Sequence, residues 1–347
     1  LGTEYHPRFL EYLKMVQRED LSVAGALTEA RGSRKEKTLE WKDPYLSLKI
    51  VDKNKDGIIV KGAKINISGA FASHYINVLP QAAHYQGEED YAVAFATPVD
   101  AEGITYICQY TPSSAEREQA DDIEELGNPL YGQRETSMVI FDNVFVPWER
   151  VFHCGEYQYS EKLVARFART HRMTCGGTCK VGFMNQIIGG CKLLQEYKGL
   201  DKASHINDEI MEMVVLRETS RACGLAAAHN GKEDPEGSGV FMPDELMGNV
   251  SKLNVATAFW RVMALAGDIG GGLIVTMPSF KDLKNPETKD YVTEYLGFGS
   301  ETSTENIMKV TKLLQNWTAG LHGVGTWHGA GPVMANKIML QRVIDYD

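Results

Sequence analysis

The chain has 347 residues, 43% of them hydrophobic and 24% charged, with a formal net charge of −10. These proportions exclude a disordered, collagen-like or coiled-coil protein, and the acidic balance argues against a nucleic-acid partner, because neutralising phosphates requires clustered Lys and Arg. No run approaches the length of apolar sequence that spans a bilayer, so no membrane segment is expected, and six cysteines are too sparse for a disulfide framework.

The chain opens Leu1-Gly2-Thr3, with neither an initiator Met nor a basic-then-apolar leader. This suggests a piece of a longer protein in a reducing, cytoplasmic compartment. Residues 6 to 20 read as one amphipathic helix, with Pro7 in its first turn and Phe9, Leu13 and Val16 on one face. From about 44 to 150 the pattern alternates. Leu46, Leu48 and Ile50 lead into an Asp56-Gly57 turn, and Ile58 and Val60 resume the alternation. Further strands are expected over 75–79, 91–96, 104–110 and 137–146. No helical period intervenes, so the sheet should be largely antiparallel, a barrel or a sandwich. After Trp148 the helical period returns over 157–199, 204–230, 241–267, 303–320 and 332–345. The segments 231–237 and 282–289 read as loops between helices. The expected division is 1–20, the end of a helical domain; 21–152, a β domain; and 153–347, a helical bundle.

Three motifs need weighing. Asp52-Lys-Asn-Lys-Asp56-Gly57 begins like a calcium loop, but Ala63 stands where the bidentate Glu is required, and a hairpin turn explains the run. Gly267-Asp-Ile-Gly-Gly-Gly272 looks like a phosphate loop, yet it follows a helix rather than a strand, so a helix C-cap is the better reading. His171-Arg-Met-Thr-Cys175-Gly-Gly-Thr-Cys179-Lys180 is the most informative stretch. Thiolate and imidazole together suit iron–sulfur or zinc, and Gly176 and Gly177 would let the backbone wrap a cluster. A glycine-broken helix start with incidental cysteines is the alternative. Glu135, at a strand entrance, and His328, beside glycines, become catalytic candidates only if a cleft adjoins them.

Several runs together resemble one family. They are Val23-Ala-Gly-Ala-Leu-Thr28, Asp56-Gly-Ile-Ile-Val-Lys-Gly-Ala-Lys64, Asp100-Ala-Glu-Gly-Ile-Thr-Tyr106, Phe141-Asp-Asn-Val-Phe-Val-Pro-Trp-Glu-Arg150, the 171–182 stretch, Gly271-Gly-Leu-Ile-Val-Thr-Met-Pro278 and His328-Gly-Ala-Gly331. In this order they resemble the 4-hydroxybutyryl-CoA dehydratase/vinylacetyl-CoA Δ-isomerase family, which is related to the large component of 4-hydroxyphenylacetate 3-monooxygenases.

The resemblance implies an α+β, acyl-CoA-dehydrogenase-like fold with a middle antiparallel β domain and a C-terminal helical bundle. It implies a homotetramer acting on an acyl-CoA with FAD and a [4Fe-4S] cluster. Cluster ligands would be His171 and Cys179, with Cys175 as the rival, and two cysteines upstream of Leu1. Glu135 would take the α-proton, and His171 or the flavin the β-proton. Lys180 directly follows the ligand cysteine, as in the family. Ser68, where the family usually has Thr, would hydrogen-bond the flavin ring, with Asn66 and Gly69 beside it. Thr28, Arg31 and Arg34 would approach the cofactor from the β domain. Gly270, Gly271 and Gly272 would approach its diphosphate from a neighbouring subunit. Three departures stand out. The His-to-Cys spacing is eight rather than seven, Cys175 replaces a tyrosine, and no acid lies within 323–327. The alternative activity is aromatic hydroxylation by reduced flavin, as in the related monooxygenases.

Overall fold

A computed structural model describes residues 4–33, 35–108, 123–126, 136–318, 320, 323 and 333–344. The chain divides into two compact units. Unit 1 comprises residues 1–111 and 134–167, and unit 2 residues 112–133 and 168–347.

Unit 1 holds two four-stranded sheets. One has the order β1 (Val23–Ala26), β4 (Tyr75–Val78), β5 (Val93–Pro98), β8 (Val151–Cys154). The other has the order β2 (Lys49–Lys53), β3 (Gly57–Ser68), β7 (Thr136–Pro147), β6 (Ile104–Cys108). Every pairing in them is antiparallel except β1 with β4, a short strand that the sequence reading left out. Alternate residues of both sheets enter one core, including Ile76 and Phe95 from the first and Ile58, Val60 and Phe141 from the second. That is the period-2 pattern expected of packed sheets. The β2–β3 turn is the hairpin that the sequence suggested. Asn54 Oδ1 accepts from the N–H of Asp56 and Gly57, which holds the turn closed. The helix Tyr5–Arg18 belongs to this unit. Its Tyr12 is buried, donates to Asn77 at 2.7 Å and packs on Phe152.

Unit 2 is helical. Its long helices are Lys180–Tyr197, Ser204–His229, Glu245–Gly270 and Thr304–Thr318, with Val333–Val343 beyond. Met184, Ile187, Phe259, Val262, Leu314 and Trp317 form their common core. The loops expected at 231–237 and 282–289 are more ordered than their composition suggests. Lys232–Glu233 pairs with Phe241–Met242 as a small hairpin. Short helices occupy Leu273–Thr276, Phe280–Lys284 and Lys289–Leu296. Ser279 caps the second of these, its side chain accepting from Lys281 N. The turn Ile123–Leu126, from the excursion between β6 and β7, also joins this unit. Glu125 accepts from Ser279 Oγ and from Phe280 N and pairs with Lys312 at 3.0 Å, and Glu124 pairs with Lys284 and Lys309. Among the described residues no helix is long and apolar enough to cross a membrane.

Candidate functional site

The His171–Lys180 stretch is a continuous helical path with one irregular turn. An α-helix covers Ser160–Thr174, a π-helical turn covers Cys175–Cys179, and the α-helix resumes at Lys180. The N–H of Lys180 donates to the carbonyl of Cys175, five residues back. Such a turn absorbs one residue more than an α-turn. Eight α-helical residues would rotate Cys179 by about 80° from His171, and the wider turn removes most of that offset. His171 and Cys179 are accordingly both exposed, with Thr174 and Thr178 between them, whereas Cys175, Gly176, Gly177 and Lys180 are buried.

Gly176 and Gly177 owe their place to packing within unit 2, not to wrapping a cluster. A Cβ on Gly177 would lie 2.5 Å from the Cα of Gly224, and one on Gly176 would lie 2.5 Å from Ser251 Oγ and 2.7 Å from its carbonyl carbon. The turn is thus wedged by backbone contact between the helices Ser204–His229 and Glu245–Gly270.

Two cations sit beneath it. Lys252 is 2% exposed. Burial lowers its ammonium pKa, the nearby Cys175 and Cys179 pull it up, and Arg172 pushes it down. Arg172 donates to Asn249 at 3.0 Å, and burial lowers its guanidinium pKa as well. Lys180 is 3% exposed, its Nζ 5.1 Å from the Phe259 ring centre and 5.5 Å from that of Phe183. One imidazole and one thiol on an exposed face above buried cations suit an iron–sulfur or zinc ligand set. Among the described residues no group of three metal-binding side chains converges, so His171 and Cys179 are at most part of such a site. Sequence reading missed Lys252 and Arg172. The helical period that buries Val255 and Phe259 also buries Lys252, and that was the available signal.

In unit 1 the residues expected near a flavin gather around the end of β3. The Thr28 carbonyl accepts from Ile65 N at 2.8 Å, and Glu29 bridges Lys64. Lys64 is fully buried and donates to Glu29 at 2.6 Å and to the carbonyls of Leu79 and Leu27 at 2.8 and 3.1 Å. Gln81 accepts from Glu29 N and from Arg31 Nε. Asn66 stands at a positive φ of 58° within a bulge of the β3–β7 ladder. Ser68 is exposed, pairs with Thr136 and has its Oγ 3.4 Å from the Thr136 hydroxyl. Gly69 is left-handed at φ 70° with nothing within 4 Å of a Cβ placed on it. Open polar edges and bare backbone are what a flat, polar ring system requires. Arg34, Glu135 and His328 lie outside the described residues.

Gly270 closes the Glu245–Gly270 helix, and Gly271 is its C-cap at φ 64°, donating to the carbonyls of Gly267 and Asp268. A Cβ on Gly271 or Gly272 would meet nothing within 4 Å, so the backbone here is open to close approach.

Two family models cover the chain, the 4-hydroxyphenylacetate 3-hydroxylase N terminal over residues 1–153 and C terminal over 160–347. The chain is 40% identical to the 4-hydroxybutyryl-CoA dehydratase/vinylacetyl-CoA-Delta-isomerase of Clostridium aminobutyricum, over 98% of this chain and 71% of that one. It is 27% identical to the oxygenase component of the Thermus thermophilus 4-hydroxyphenylacetate 3-monooxygenase, over 82% of this chain and 59% of that one. Among solved structures, an archaeal 4-hydroxybutyryl-CoA dehydratase from N. maritimus, described as oxygen tolerant, superposes with a TM-score of 0.93 at 38% identity. The match covers 98% of this chain and 68% of that one. Butyryl-CoA dehydrogenase from Megasphaera elsdenii shares the fold at a TM-score of 0.59 and 17% identity, over 96% of this chain and 70% of that one.

Proposed function

The chain belongs to the 4-hydroxyphenylacetate 3-hydroxylase family, and from its likeness to the dehydratase/isomerase members we propose that it dehydrates a 4-hydroxyacyl-CoA, or shifts the double bond of vinylacetyl-CoA, using FAD and a [4Fe-4S] cluster. The observation that carries this reading is the π turn. It compensates the eight-residue spacing and leaves His171 and Cys179, not Cys175, on an exposed face.

In the dehydration, 4-hydroxybutyryl-CoA loses its C4 hydroxyl and hydrogens from C2 and C3. One hydrogen returns to C4, giving crotonyl-CoA and water. The flavin would supply the one-electron chemistry that makes the otherwise inert C3 hydrogen removable. The cluster would supply Lewis acidity toward the departing hydroxyl.

The chain's own residues have narrower tasks. Glu135 takes the C2 proton, which the thioester carbonyl acidifies. The flavin, or the His171 imidazole once its bond to iron opens, would take the C3 proton; His171 and Cys179 would contribute two cluster ligands, with two cysteines upstream of Leu1 to complete the set. Lys252 and Arg172 offset the thiolate charge, and Lys180 adds a third buried cation. Ser68 hydrogen-bonds the flavin ring, with Asn66 and Gly69 shaping that edge. Thr28, Arg31 and Arg34 hold the cofactor's polar arm, and the open Gly271–Gly272 backbone admits its diphosphate, whereas Gly270 is buried against Ile274 and only positions that turn. The active assembly is a homotetramer.

The family's oxygenase members support a rival reading, hydroxylation of a phenol by reduced flavin. Such chemistry has no use for His171 and Cys179. Sensitivity to air does not separate the two readings, since one dehydratase relative is described as oxygen tolerant. A requirement for oxygen does. With 4-hydroxybutyryl-CoA under strict anoxia, crotonyl-CoA should form without added reductant. A reaction that needs oxygen and reduced flavin, with a product carrying one added oxygen atom, overturns the proposal.

A further inference from the structure

We propose that the cavity beside Lys198 in unit 2 is an anion site that takes the phosphate groups of an adenosine diphosphate moiety. Both the acyl-CoA and the FAD of the preceding section carry that moiety, and the choice of nucleotide rests on that reading. The anion character rests on the geometry alone.

The cavity measures about 420 Å³ and lies between the end of the Lys180–Tyr197 helix and the loop after Leu296. Tyr197, Lys198, Phe298 and Ser300 line it, with Glu196 and Glu301. Lys198 is half-buried, and burial alone lowers its pKa, with no carboxylate opposing. Among the described residues it forms no ion pair. Its polar contact is the Gly270 carbonyl at 3.5 Å, the outer limit of a hydrogen bond, and its ammonium sits 5.4 Å from the Phe298 ring centre. The two acids do not discharge it. Glu196 faces Lys192 at 3.5 Å, and Glu301 is exposed. A partly desolvated cation without a counter-ion, at the wall of a cavity, gains most from an anion entering that cavity.

The backbone opposite adds a second, independent feature. Gly297 is right-handed, and Phe298 and Gly299 follow at φ 50° and 66°. A right-handed residue followed by left-handed ones turns successive N–H groups into one anion-binding concavity. Among the described residues neither the Phe298 nor the Gly299 N–H enters a hydrogen bond. A bulky aromatic residue rarely adopts positive φ, and such strain concentrates at ligand sites. The aromatic rings of Tyr197 and Phe298 would give a purine a flat apolar surface. The competing role for Lys198 is to answer the carbonyl ends of the helices that finish at Tyr197, Gly270 and Leu296. That role requires neither the cavity nor a left-handed Phe298.

The test compares the full-length protein with Lys198→Met, Lys198→Arg and, against misfolding of the first, Ser300→Asp, which places a negative charge in the same cavity. Calorimetric titrations with ADP, adenosine 3′,5′-bisphosphate and inorganic phosphate are read beside flavin content and Tm. Lys198→Met and Ser300→Asp should weaken nucleotide binding about tenfold, the loss of one charge-assisted hydrogen bond, or should purify with less flavin, while Lys198→Arg should keep both. Lost bisphosphate binding with intact flavin content assigns the site to coenzyme A, and lost flavin assigns it to the dinucleotide. A lower Tm with unchanged nucleotide binding and flavin content means a helix-end cap and overturns the proposal. Inorganic phosphate binding as tightly as the nucleotides overturns its nucleotide part. Nucleotide binding without acyl-CoA dehydration would leave this site standing and fault the reaction instead.

Discussion

Gly177 and Gly224 meet backbone to backbone, so closely that a Cβ on Gly177 would stand 2.5 Å from the Cα of Gly224. This contact, with that of Gly176 on Ser251, fixes the turn that orients Cys179. Gly177→Ala or Gly224→Ala should therefore cost about 1–3 kcal/mol, the usual toll of overpacking, and should lower iron content in the purified protein. Gly182 sits on the same helix with open space around it, so Gly182→Ala should be neutral or stabilise by up to about 1 kcal/mol. Equal Tm shifts for the three variants would remove the wedge from the account.

The π turn makes a second prediction. Cys179→Ala should lose iron and acid-labile sulfide, because Cys179 shares the exposed face with His171. Cys175→Ala should keep them, because Cys175 is buried against the Lys252 side. Deleting Thr178 should convert the turn to regular α-helix while leaving His171 and Cys179 on one face, so iron should be retained. Iron lost from Cys175→Ala alone would reverse the ligand assignment.

How far the sequence carried this site depended on which physical signal each part left. Period-2 and period-3.6 patterns located most strands and the long helices, because burial imposes them directly on composition. The strand Val23–Ala26 was missed because four small residues carry little periodic signal. The helix from 157 to 199 was legible, but the π turn inside it was not. An extra residue is visible only against an expected spacing, and the spacing of eight was its trace. Gly176 and Gly177 were read as serving a ligand, whereas they serve a helix crossing with partners dozens of residues away. The buried pair Lys64–Glu29 left no local pattern.

That pair yields a stability prediction. Lys64 is fully buried, burial lowers its pKa, and Glu29 opposes the shift. Lys64→Met alone should cost about 3–5 kcal/mol, because it strands a buried carboxylate. The double variant Lys64→Met with Glu29→Met should recover much of that loss. Chemical denaturation of the three proteins measures it, and a double variant no better than the single would contradict the coupling. Since Glu29 adjoins Thr28, the single variant should also weaken flavin retention.

Two acid-side effects have opposite chemistry and the same sign. The Glu125 carboxyl is pushed up by burial, but hydrogen bonds from Ser279, Lys312 and Phe280 outweigh this and lower its pKa. Its folded-state pKa is thus below the unfolded one, so its contribution is full above about pH 4.5 and fades as pH falls through the folded value. His84 is buried and stacked on Tyr91, and among the described residues neither ring nitrogen is hydrogen-bonded; Glu88 Oε2 lies 3.5 Å from Nδ1. Burial lowers its pKa against the pull of Glu29 and Glu88. The unfolded chain therefore binds the proton more readily, and stability should start to fall below about pH 6.5. Tm against pH should show both losses. His84→Phe should remove the higher one and leave the lower, and an unchanged profile would mean that His84 is not buried in the neutral form.

The central claim is an acyl-CoA dehydration in which this chain supplies the C2 proton acceptor and part of a metal site. Its most direct test incubates the anaerobic, flavin- and iron-replete protein with 4-hydroxybutyryl-CoA in deuterated water, without oxygen or NADH, and follows crotonyl-CoA and deuterium at C2. The wild type should form crotonyl-CoA. Glu135→Gln should slow deuterium exchange at C2. His171→Ala should abolish turnover and lose iron while exchange at C2 persists. No crotonyl-CoA under anoxia, but oxygen-dependent hydroxylation of a phenol that survives both His171→Ala and Cys179→Ala, would contradict the account.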